Sequence, residues 1–453
     1  MSASIVNRRN FLKTVGASIA VAGVAASVYY LAGGHAPSTT ITEGPTTIQT
    51  SYETTTATTT YSRQGMLDFW KGVMFVQWLR RNDRSIKPGM RELKKRIPSN
   101  VISLWVPYYT ESPTSDRIFP IYDASGYGGL YGFQLDESWP PALIESTFDL
   151  AHELGLGVAY WPNVGPVTHG LAWEGALDPT PEVLEAYRQF KAEQATLAEK
   201  HQCEMFWVGN EWNQSYLHGE EWKSILGAIR DRFSGAIAIE FLYCDWGWWE
   251  YVLNRVDERC FESTDYVGLS MNIFPMASEN TSGTEPCDPA YYSPTVSQLI
   301  EGWRKPMEAV EEAYRKFEKP ILITELSASS YDGAACEDWR FQPSKSMMSR
   351  LVDFQEQADL FEATMRVMTG LECVHGVSWN NWNAFEPGLF YRMAGFDERE
   401  IQFQGKPAEK VLRYWYSKKN IRDGVGLLLT PNGHVDLGNL GKENPLNERG
   451  GIC

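Results

Sequence analysis

Eight short apolar segments recur between residues 66 and 418, and amphipathic stretches fill most of the intervals between them. Apolar runs of about four to eight residues are typical of strands buried on both faces, and their alternation with helices indicates a parallel sheet. The predicted strands are residues 72–78, 101–107, 156–161, 205–210, 236–243, 266–272, 320–325 and 374–380. Eight βα repeats in roughly 350 residues predict an α/β fold of the (β/α)₈, or TIM barrel, type.

The intervals between the strands carry helix signals. The predicted helices are residues 142–153, 181–200, 220–233, 249–260 and 295–317. The second of these is the best marked, because Thr180 can cap it and Pro181 suits its first turn. Its apolar face consists of Val183, Leu184, Tyr187 and Phe190. The competing fold is an open doubly wound sheet, which usually has a glycine-rich phosphate loop after its first strand. Residues 77–81 (QWLRR) contain no glycine, so the barrel is favoured.

Polar and aromatic residues gather where the predicted strands end, which is the active-site face of such a barrel. They are Gln77, Trp78, Tyr108, Tyr109, Trp161, Asn163, Asn210, Glu211, Asp245, Trp246, Asn272, Glu325, Trp379, Asn381 and Trp382. One serine, Ser378, lies nearby, and neither histidine nor cysteine belongs to the set. This composition argues against a serine triad and against a histidine-based metal site, so we expect neither a metal nor an organic cofactor.

Two glutamates stand out in this set because each ends an apolar strand. Glu211 follows the fourth strand, and Glu325 ends the seventh, 114 residues later. Most glutamates near strand ends are solvated loop residues. Two carboxyl groups on one rim of a barrel, however, are the groups that cleavage of a glycosidic bond requires.

The pairs Asn210-Glu211 and Thr324-Glu325 resemble the pattern of clan A glycoside hydrolases, which are retaining β-glycosidases with a TIM barrel. Within this clan, residues 100–275 are most similar to glycoside hydrolase family 113, the β-mannanases. The similar pieces are residues 100–104 (NVISL), 151–158 (AHELGLGV) and 265–269 (DYVGL). The resemblance implies that Glu211 is the general acid/base, that Glu325 is the nucleophile and that Asn210 binds the sugar 2-hydroxyl. Clan members often carry a tyrosine near the end of the sixth strand, where this chain has Asn272.

Aromatic side chains near the two glutamates are expected to stack on sugar rings. The predicted substrate-binding residues are Asn210, Trp78, Trp161, Trp212, Trp246, Asn272, Trp379 and Trp382. The predicted function is a retaining hydrolase of β-linked polysaccharide, of the endo-β-1,4-mannanase kind. The alternatives are a β-glucanase or another β-glycosidase of the same clan, and a non-catalytic glycan-binding barrel at the cell surface.

The chain outside the predicted barrel suggests export. Residues 7–13 (NRRNFLK) resemble a twin-arginine signal, and an apolar run of 18 residues extends from 15 to 32. Residues 1–35 are predicted to be a signal or membrane anchor, 36–65 a disordered Ser/Thr-rich linker, 66–418 the barrel, and 419–453 a hairpin and tail. We expect a monomer outside the cell or on its surface that binds polysaccharide or oligosaccharide, and the membrane through its N-terminal segment. The net charge of -16 argues against nucleic-acid partners.

The seven cysteines permit disulfides in an exported protein. Cys287 follows the sixth predicted strand and Cys336 the seventh, so both belong to neighbouring loops and form the predicted pair. An odd number of cysteines leaves at least one thiol free or bonded to another chain.

Overall fold

Eight parallel strands close into a barrel in the computed structural model. It describes residues 67–77, 83–128, 135–243, 246–271, 293–336, 351–384, 398–399 and 401–440, without the side chains of 246–248. The strands are β1 Trp70–Val76, β2 Val101–Thr110, β3 Gly157–Pro166, β4 Met205–Trp207, β5 Ala236–Leu242, β6 Tyr266–Ser270, β7 Ile321–Leu326 and β8 Val374–Asn383. Each pairs with its neighbours in chain order, and β1 pairs with both β2 and β8. The predicted TIM barrel and its eight strands are confirmed.

Helices surround the barrel. The α-helices among the described residues are α1 Asp83–Arg96, α2 Pro141–Glu153, α3 Pro181–Lys200, α4 Gly219–Arg230, α5 Trp246–Leu253, α6 Val296–Gly302, α7 Arg304–Phe317, α8 Phe354–Gly370 and α9 Pro407–Ser417. Short 3₁₀ turns lie at Val167–His169, Glu174–Ala176, Asn213–Leu217, Glu258–Phe261 and Ile421–Asp423. A two-residue strand, Ile118–Phe119, pairs antiparallel with the end of β2.

Two predicted helices are interrupted. Residues 295–317 form α6 and α7 rather than one helix, and Pro306, which has no N–H to donate to the Gly302 carbonyl, lies at the start of α7. Residues 249–260 form the end of α5 and then a 3₁₀ turn, whose first residues are capped by the Asp257 side chain. A proline and a local cap therefore divide two stretches, each of which apolar periodicity alone predicts to be a single helix.

Helices α1 and α8 were not predicted. Pro88 and Gly89 within α1 lower its helix propensity, and a Cβ on Gly89 would lie 2.9 Å from the Cα of Ala384. Glycine at this position thus allows α1 to approach the end of β8. In α8, buried acidic residues such as Glu356 and Glu362 interrupt the apolar face, so its sequence lacks a clear helical pattern.

The interior of the barrel is filled by large side chains set against glycines. A Cβ on Gly376 of β8 would lie 2.5 Å from the Cβ of Trp70. A Cβ on Gly268 of β6 would lie 2.8 Å from the ring of Trp207. Because the tryptophans occupy the space that these glycines leave, the barrel is a packed core, and its carboxyl-terminal face is the place for a site.

The prediction for α3 is confirmed in detail. The Thr180 hydroxyl accepts a hydrogen bond from the Val183 N–H at 3.3 Å, and Pro181 occupies the first turn. The predicted apolar face is buried, and Tyr187 and Lys191 lie on the same buried side. These two polar groups bring α3 into contact with the end of β4.

The C-terminal region closes the barrel. Helix α9 packs beside α1, and Glu409 of α9 forms an ion pair with Arg96 of α1. Leu429 and Val435 form an antiparallel bridge within residues 419–453, the stretch for which a hairpin and tail are predicted.

None of the helices in the described part of the chain is long and apolar enough to cross a membrane. The apolar run at residues 15–32 and the Ser/Thr-rich linker lie outside the described residues. Cys203, Cys260 and Cys373 are free thiols, and Cys336 is disulfide-bonded. Cys287 lies outside the described residues, so the pairing of Cys287 with Cys336 remains a prediction.

Candidate active site

The turn after β4 carries Asn210 and Glu211 to the mouth of the barrel. Gly209 has a φ of 83° and Glu211 a φ of 54°, which is the left-handed region. Glycine adopts this conformation readily, but a glutamate there is held at a conformational cost. Trp173 donates a hydrogen bond from Nε1 to Oε2 of Glu211 at 2.7 Å. The carboxyl group of Glu211 therefore has a defined position before any ligand binds.

A buried ion pair supports this turn from below. Lys191 Nζ lies 3.0 Å from Oε1 of Glu174, and neither side chain is exposed. Oε2 of Glu174 accepts hydrogen bonds from the Tyr187 hydroxyl at 2.9 Å and from the Asn210 N–H at 2.5 Å. The Tyr187 oxygen accepts in turn from the Gly209 N–H at 2.9 Å. Helix α3 and the 3₁₀ turn at Glu174–Ala176 thus fix the backbone that presents Glu211.

Sequence reasoning missed this support. Lys191 carries the only signal, because it lies four residues after Tyr187 on the apolar face of α3. A lysine among buried residues requires a buried partner. Nothing in the sequence indicates that Glu174 is that partner.

An irregularity in β7 places Glu325 at the same mouth. Leu269 pairs with Ile323, but the next residue of β6, Ser270, pairs with Glu325. One extra residue, Thr324, is therefore accommodated on β7, as in a β-bulge, which re-aims the side chains that follow it. The Ser270 hydroxyl lies beside the Glu211 carboxyl group, although the two lack good hydrogen-bond geometry. Ser270 therefore links the positions of Glu211 and Glu325.

A third carboxyl group, Glu240 of β5, lies within the barrel beside this pair. Its side chain is fully buried, and Thr324 donates its hydroxyl to Oε1. Burial raises the pKa of Glu240 well above the ordinary glutamate value, and the negative charges of Glu325 and Glu211 raise it further. Nothing in the sequence marks Glu240, which lies in an apolar run, as part of the same cluster.

The environment of Glu211 favours its protonated form. Burial raises the pKa of Glu211, and this effect outweighs the opposing effects of Ser270 and of the hydrogen bond from Trp173. A carboxyl group with a raised pKa can keep its proton near neutral pH and donate it to a leaving group.

Several buried polar atoms near the strand ends have no hydrogen-bond partner among the described residues. They are Asn163 Oδ1, Asn210 Oδ1, Asn380 Oδ1, Ser270 Oγ, Trp161 Nε1, Trp379 Nε1, and both Oδ1 and Nδ2 of Asn381. Buried polar atoms are nearly always paired in proteins, so a group of them at one end of a barrel indicates a site for a polar ligand.

The structure corrects the prediction that four tryptophans stack on sugar rings. Trp212 is fully buried, and its Nε1 donates to the Leu177 carbonyl at 2.8 Å. Trp382 is also fully buried and donates to the Gly89 carbonyl at 3.1 Å. Trp161 and Trp379 expose at most 1% of their surface, and Trp379 stacks on Phe361. Rings this buried present no face to a ligand, because the helices and the neighbouring strands cover them.

The remaining predicted sugar-binding residues have different outcomes. Asn210 is at the site, buried beside Glu211. Trp78, Asn272 and the side chain of Trp246 lie outside the described residues. Trp173, which was not predicted, is a partly exposed tryptophan that contacts Glu211 directly. It lies in the long connection between β3 and α3, where sequence periodicity carries no information.

One cluster outside the barrel mouth could hold a cation. Oxygen atoms of Asp332, Asp353 and Glu356 lie within 4.8 Å of one another. Both oxygens of Glu356 already accept backbone N–H groups, at 2.9 Å from Gly333 and 2.7 Å from Ala335. The carboxyl group is thus occupied in tying a loop to α8.

Known proteins are similar to this chain in sequence and in fold. Residues 180–391 match the model of Glycoside Hydrolase Family 113. The fold is similar to the GH113 β-mannanase of Alicyclobacillus acidocaldarius in complex with ManMIm, with 22% identity over 78% of this chain and 98% of that one, at a TM-score of 0.57. It is also similar to a GH113 β-1,4-mannanase, with 18% identity over 78% of this chain and 100% of that one, at a TM-score of 0.60. No curated protein is significantly similar in sequence. The chain therefore has a TIM-barrel fold, and the match of residues 180–391 to family 113 identifies this part of it as that of a glycoside hydrolase.

Proposed function

We propose that this enzyme is a retaining β-glycoside hydrolase that cleaves internal bonds of β-1,4-linked mannan. Glu325 is the nucleophile, and Glu211 is the general acid/base. The observation that carries the proposal is that Glu325 pairs with Ser270 along the strands while the Glu211 carboxyl group lies beside the Ser270 hydroxyl, so both glutamates belong to the same end of the barrel. Retaining enzymes place their two carboxyl groups on opposite sides of one glycosidic bond.

The reaction proceeds in two displacements. Ionised Glu325 attacks the anomeric carbon, and the bond from that carbon to the leaving oxygen breaks as Glu211 gives its proton to that oxygen. The sugar is then held as an ester of Glu325. Water attacks the same carbon, ionised Glu211 takes the proton of the water, and Glu325 leaves as a carboxylate. Both residues return to their starting states.

The choice of mannan rests on the family match and on the names of the similar structures, which are β-mannanases. The unpaired buried oxygen of Asn210 supports a role for this residue in accepting a hydrogen bond from a sugar hydroxyl. Assays on mannan, glucomannan, xylan and cellulose test the choice. We expect the highest kcat/KM on mannan or glucomannan. A preference for cellulose would make the enzyme a β-glucanase, and binding without cleavage of any of the four would make it a glycan-binding barrel.

Substitution of the two glutamates tests the catalytic roles. Glu211→Ala should cleave natural substrate about 10² to 10⁴ times more slowly, because general acid/base help is lost. It should still react with substrates that have good leaving groups, and added azide should restore turnover with retained configuration. Glu325→Ala cannot form the ester, so azide should give at most an inverted product. Glu193→Ala, an exposed glutamate of α3, serves as the control. Azide rescue with retention in the Glu325 variant alone would reverse the assignment.

We also propose that the N-terminal segment exports the enzyme by the twin-arginine route and that residues 15–32 hold it at the membrane. The arginine pair and the apolar run support the proposal. Replacing Arg8 and Arg9 by lysine should leave the enzyme inside the cell, as measured by fractionation. Recovery of a soluble mature chain that begins near Ser27 would indicate cleavage instead of anchoring.

A further inference from the structure

We propose that Tyr187 of α3 is a positioning residue for the general acid. Together with Glu174 it holds the backbone at residues 209 and 210, and so keeps the Glu211 carboxyl group where it can protonate the leaving oxygen. The proposal rests on the catalytic role given above to Glu211. It assigns an effect on one chemical step to a helix residue that is fully buried and so cannot touch the substrate.

Two consecutive backbone N–H groups of the turn after β4 are bound by Tyr187 and Glu174. The Tyr187 oxygen accepts from the Gly209 N–H at 2.9 Å, and Oε2 of Glu174 accepts from the Asn210 N–H at 2.5 Å. The Tyr187 hydroxyl in turn donates to the same Oε2 at 2.9 Å. These three hydrogen bonds form one chain. Loss of the hydroxyl therefore leaves the Gly209 N–H unpaired and removes one of the bonds that orient Glu174.

The Tyr187 hydroxyl can act in only one direction in this chain. Glu174 forms an ion pair with Lys191 at 3.0 Å, and a carboxylate only accepts hydrogen bonds, so the Tyr187 proton points to Glu174. The lone pairs of the hydroxyl oxygen are then left for the Gly209 N–H. Burial raises the pKa of Tyr187 well above its ordinary value, and the negative charge of Glu174 raises it further, so the hydroxyl keeps its proton. Lys191 is itself fixed, because its Nζ also donates to the Pro162 carbonyl of β3 at 2.6 Å.

The turn needs such an anchor because its backbone is strained. Gly209 has a φ of 83° and Glu211 a φ of 54°, so two residues of one three-residue segment are in the left-handed region. A glutamate stays in this region only where its surroundings hold it there. The hydrogen bond from Trp173 fixes the far end of the Glu211 side chain, not its backbone. The two acceptors described above supply the hold on the backbone.

The phenylalanine variant isolates the hydroxyl. The Tyr187 ring packs edge-on against Trp212, with ring centres 5.1 Å apart, and Lys191 Nζ lies 4.9 Å from the ring centre. Tyr187→Phe keeps both contacts. Tyr416→Phe is the matched control, because Tyr416 is also buried and its hydroxyl donates to the Gly72 carbonyl at 2.8 Å, in the first half of β1. This control loses a buried hydroxyl bond of the same kind without touching the turn.

The measurement is kcat/KM on two aryl β-mannobiosides that differ in their leaving group. Dinitrophenolate leaves without a proton, whereas phenolate needs one from the general acid. A displaced acid should therefore slow only the phenyl substrate. Glu211→Ala is the reference, since it should lose about 10² to 10⁴-fold on the phenyl substrate and little on the dinitrophenyl substrate.

We expect Tyr187→Phe to lower kcat/KM on the phenyl substrate by about 10- to 10²-fold, because a small displacement of a catalytic group costs up to about 10²-fold in rate. On the dinitrophenyl substrate the loss should be less than about twofold, since no proton is needed there. Tyr416→Phe should leave the ratio of the two values unchanged. No loss, or equal losses on both substrates, in Tyr187→Phe would mean that the hydroxyl at most stabilises the fold. The same selective loss in Tyr416→Phe would mean that the effect is general. Each of these results overturns the proposal.

Glu174→Asp gives a second test, which also serves if Tyr187→Phe does not fold. It keeps a charge for Lys191 but is shorter by one methylene, so its carboxylate withdraws from the Asn210 N–H and the Tyr187 hydroxyl. It should show the same selective loss on the phenyl substrate, and an unchanged ratio overturns the proposal. Failure of the catalytic assignment is distinguishable, because Glu211→Ala would then show no selective loss itself.

Discussion

The hydrogen bond from Trp173 to Glu211 is expected to set the upper limit of the pH range of activity. The Trp173 N–H donates to Oε2 of Glu211 at 2.7 Å, and this contact stabilises the ionised carboxylate. Trp173→Phe keeps an aromatic ring but removes the donor. The pKa of Glu211 should therefore rise further above the ordinary value. Because Glu211 must be protonated to act as the acid, the basic limb of kcat/KM should move to higher pH.

The magnitude follows from the strength of such a bond. A hydrogen bond to a charged group contributes about 1.5–3 kcal/mol, which corresponds to roughly one to two pKa units. Trp173 and Glu211 are both partly exposed, so water can replace part of the lost interaction. We expect a shift near the lower end, about one pH unit. The rate at the optimum should also fall, because the carboxyl group loses its fixed position.

The assay is the pH profile of kcat/KM on a soluble mannan or glucomannan. Trp249→Phe is the matched control, because Trp249 is fully buried and its Nε1 has no hydrogen-bond partner among the described residues. This variant removes an indole without removing a bond to Glu211, so its basic limb should not move. A basic limb of Trp173→Phe that stays in place or moves to lower pH would refute the reasoning.

Three further predictions concern stability. Glu174→Gln should lower the free energy of unfolding by about 3–5 kcal/mol in urea denaturation, since it leaves Lys191 buried without its charge partner, and Glu174→Gln with Lys191→Met should recover part of the loss. Gly268→Ala should cost about 1–3 kcal/mol because its Cβ would lie 2.8 Å from Trp207, whereas Gly227→Ala, in an exposed part of α4 with open space around it, should be neutral or stabilising. Burial raises the pKa of Glu240, so the unfolded chain releases this proton at lower pH than the folded one. As the pH rises above about 4.3, the free energy of unfolding of the wild type should therefore fall, relative to that of Glu240→Gln, by up to about 1.4 kcal/mol per pH unit. Thermal unfolding curves with the same pH dependence in both proteins would contradict this.

The strands and the best helix were predictable because their signals are local. A buried parallel strand is an apolar run in the sequence, whatever lies beside it in the fold. Helix α3 is predicted by its N-cap residue, its first-turn proline and its apolar face. Helix α8 was missed for the opposite reason. Its buried acidic residues are acceptable only because distant groups bond to them, as the Leu427 N–H and the Trp415 indole do to Glu362.

The positions of the two proposed catalytic glutamates could also be found in the sequence. Each glutamate lies at the end of an apolar strand, in a residue pair that resembles the pattern of clan A glycoside hydrolases. The tryptophans could not be assigned in this way. Trp173 and Trp212 both lie near Glu211 in the chain or in space, yet Trp173 is partly exposed and bonded to its carboxyl group, while Trp212 is buried against α3 and α4. Exposure depends on which elements pack over a ring, and a sequence does not state that.

By itself, the sequence determined that this chain forms a (β/α)₈ barrel with Glu211 and Glu325 at the ends of β4 and β7, because strand order and strand ends follow from neighbouring residues. Only the tertiary structure decided what surrounds these two groups. Glu240 meets Thr324 across a gap of 84 residues in sequence, and Glu174 bonds the backbone of Asn210 across 36. The first contact exists because Gly268 leaves a gap in the strand between β5 and β7, and the second because the turn that carries Glu174 lies against the end of β4. No local pattern of residues records either contact.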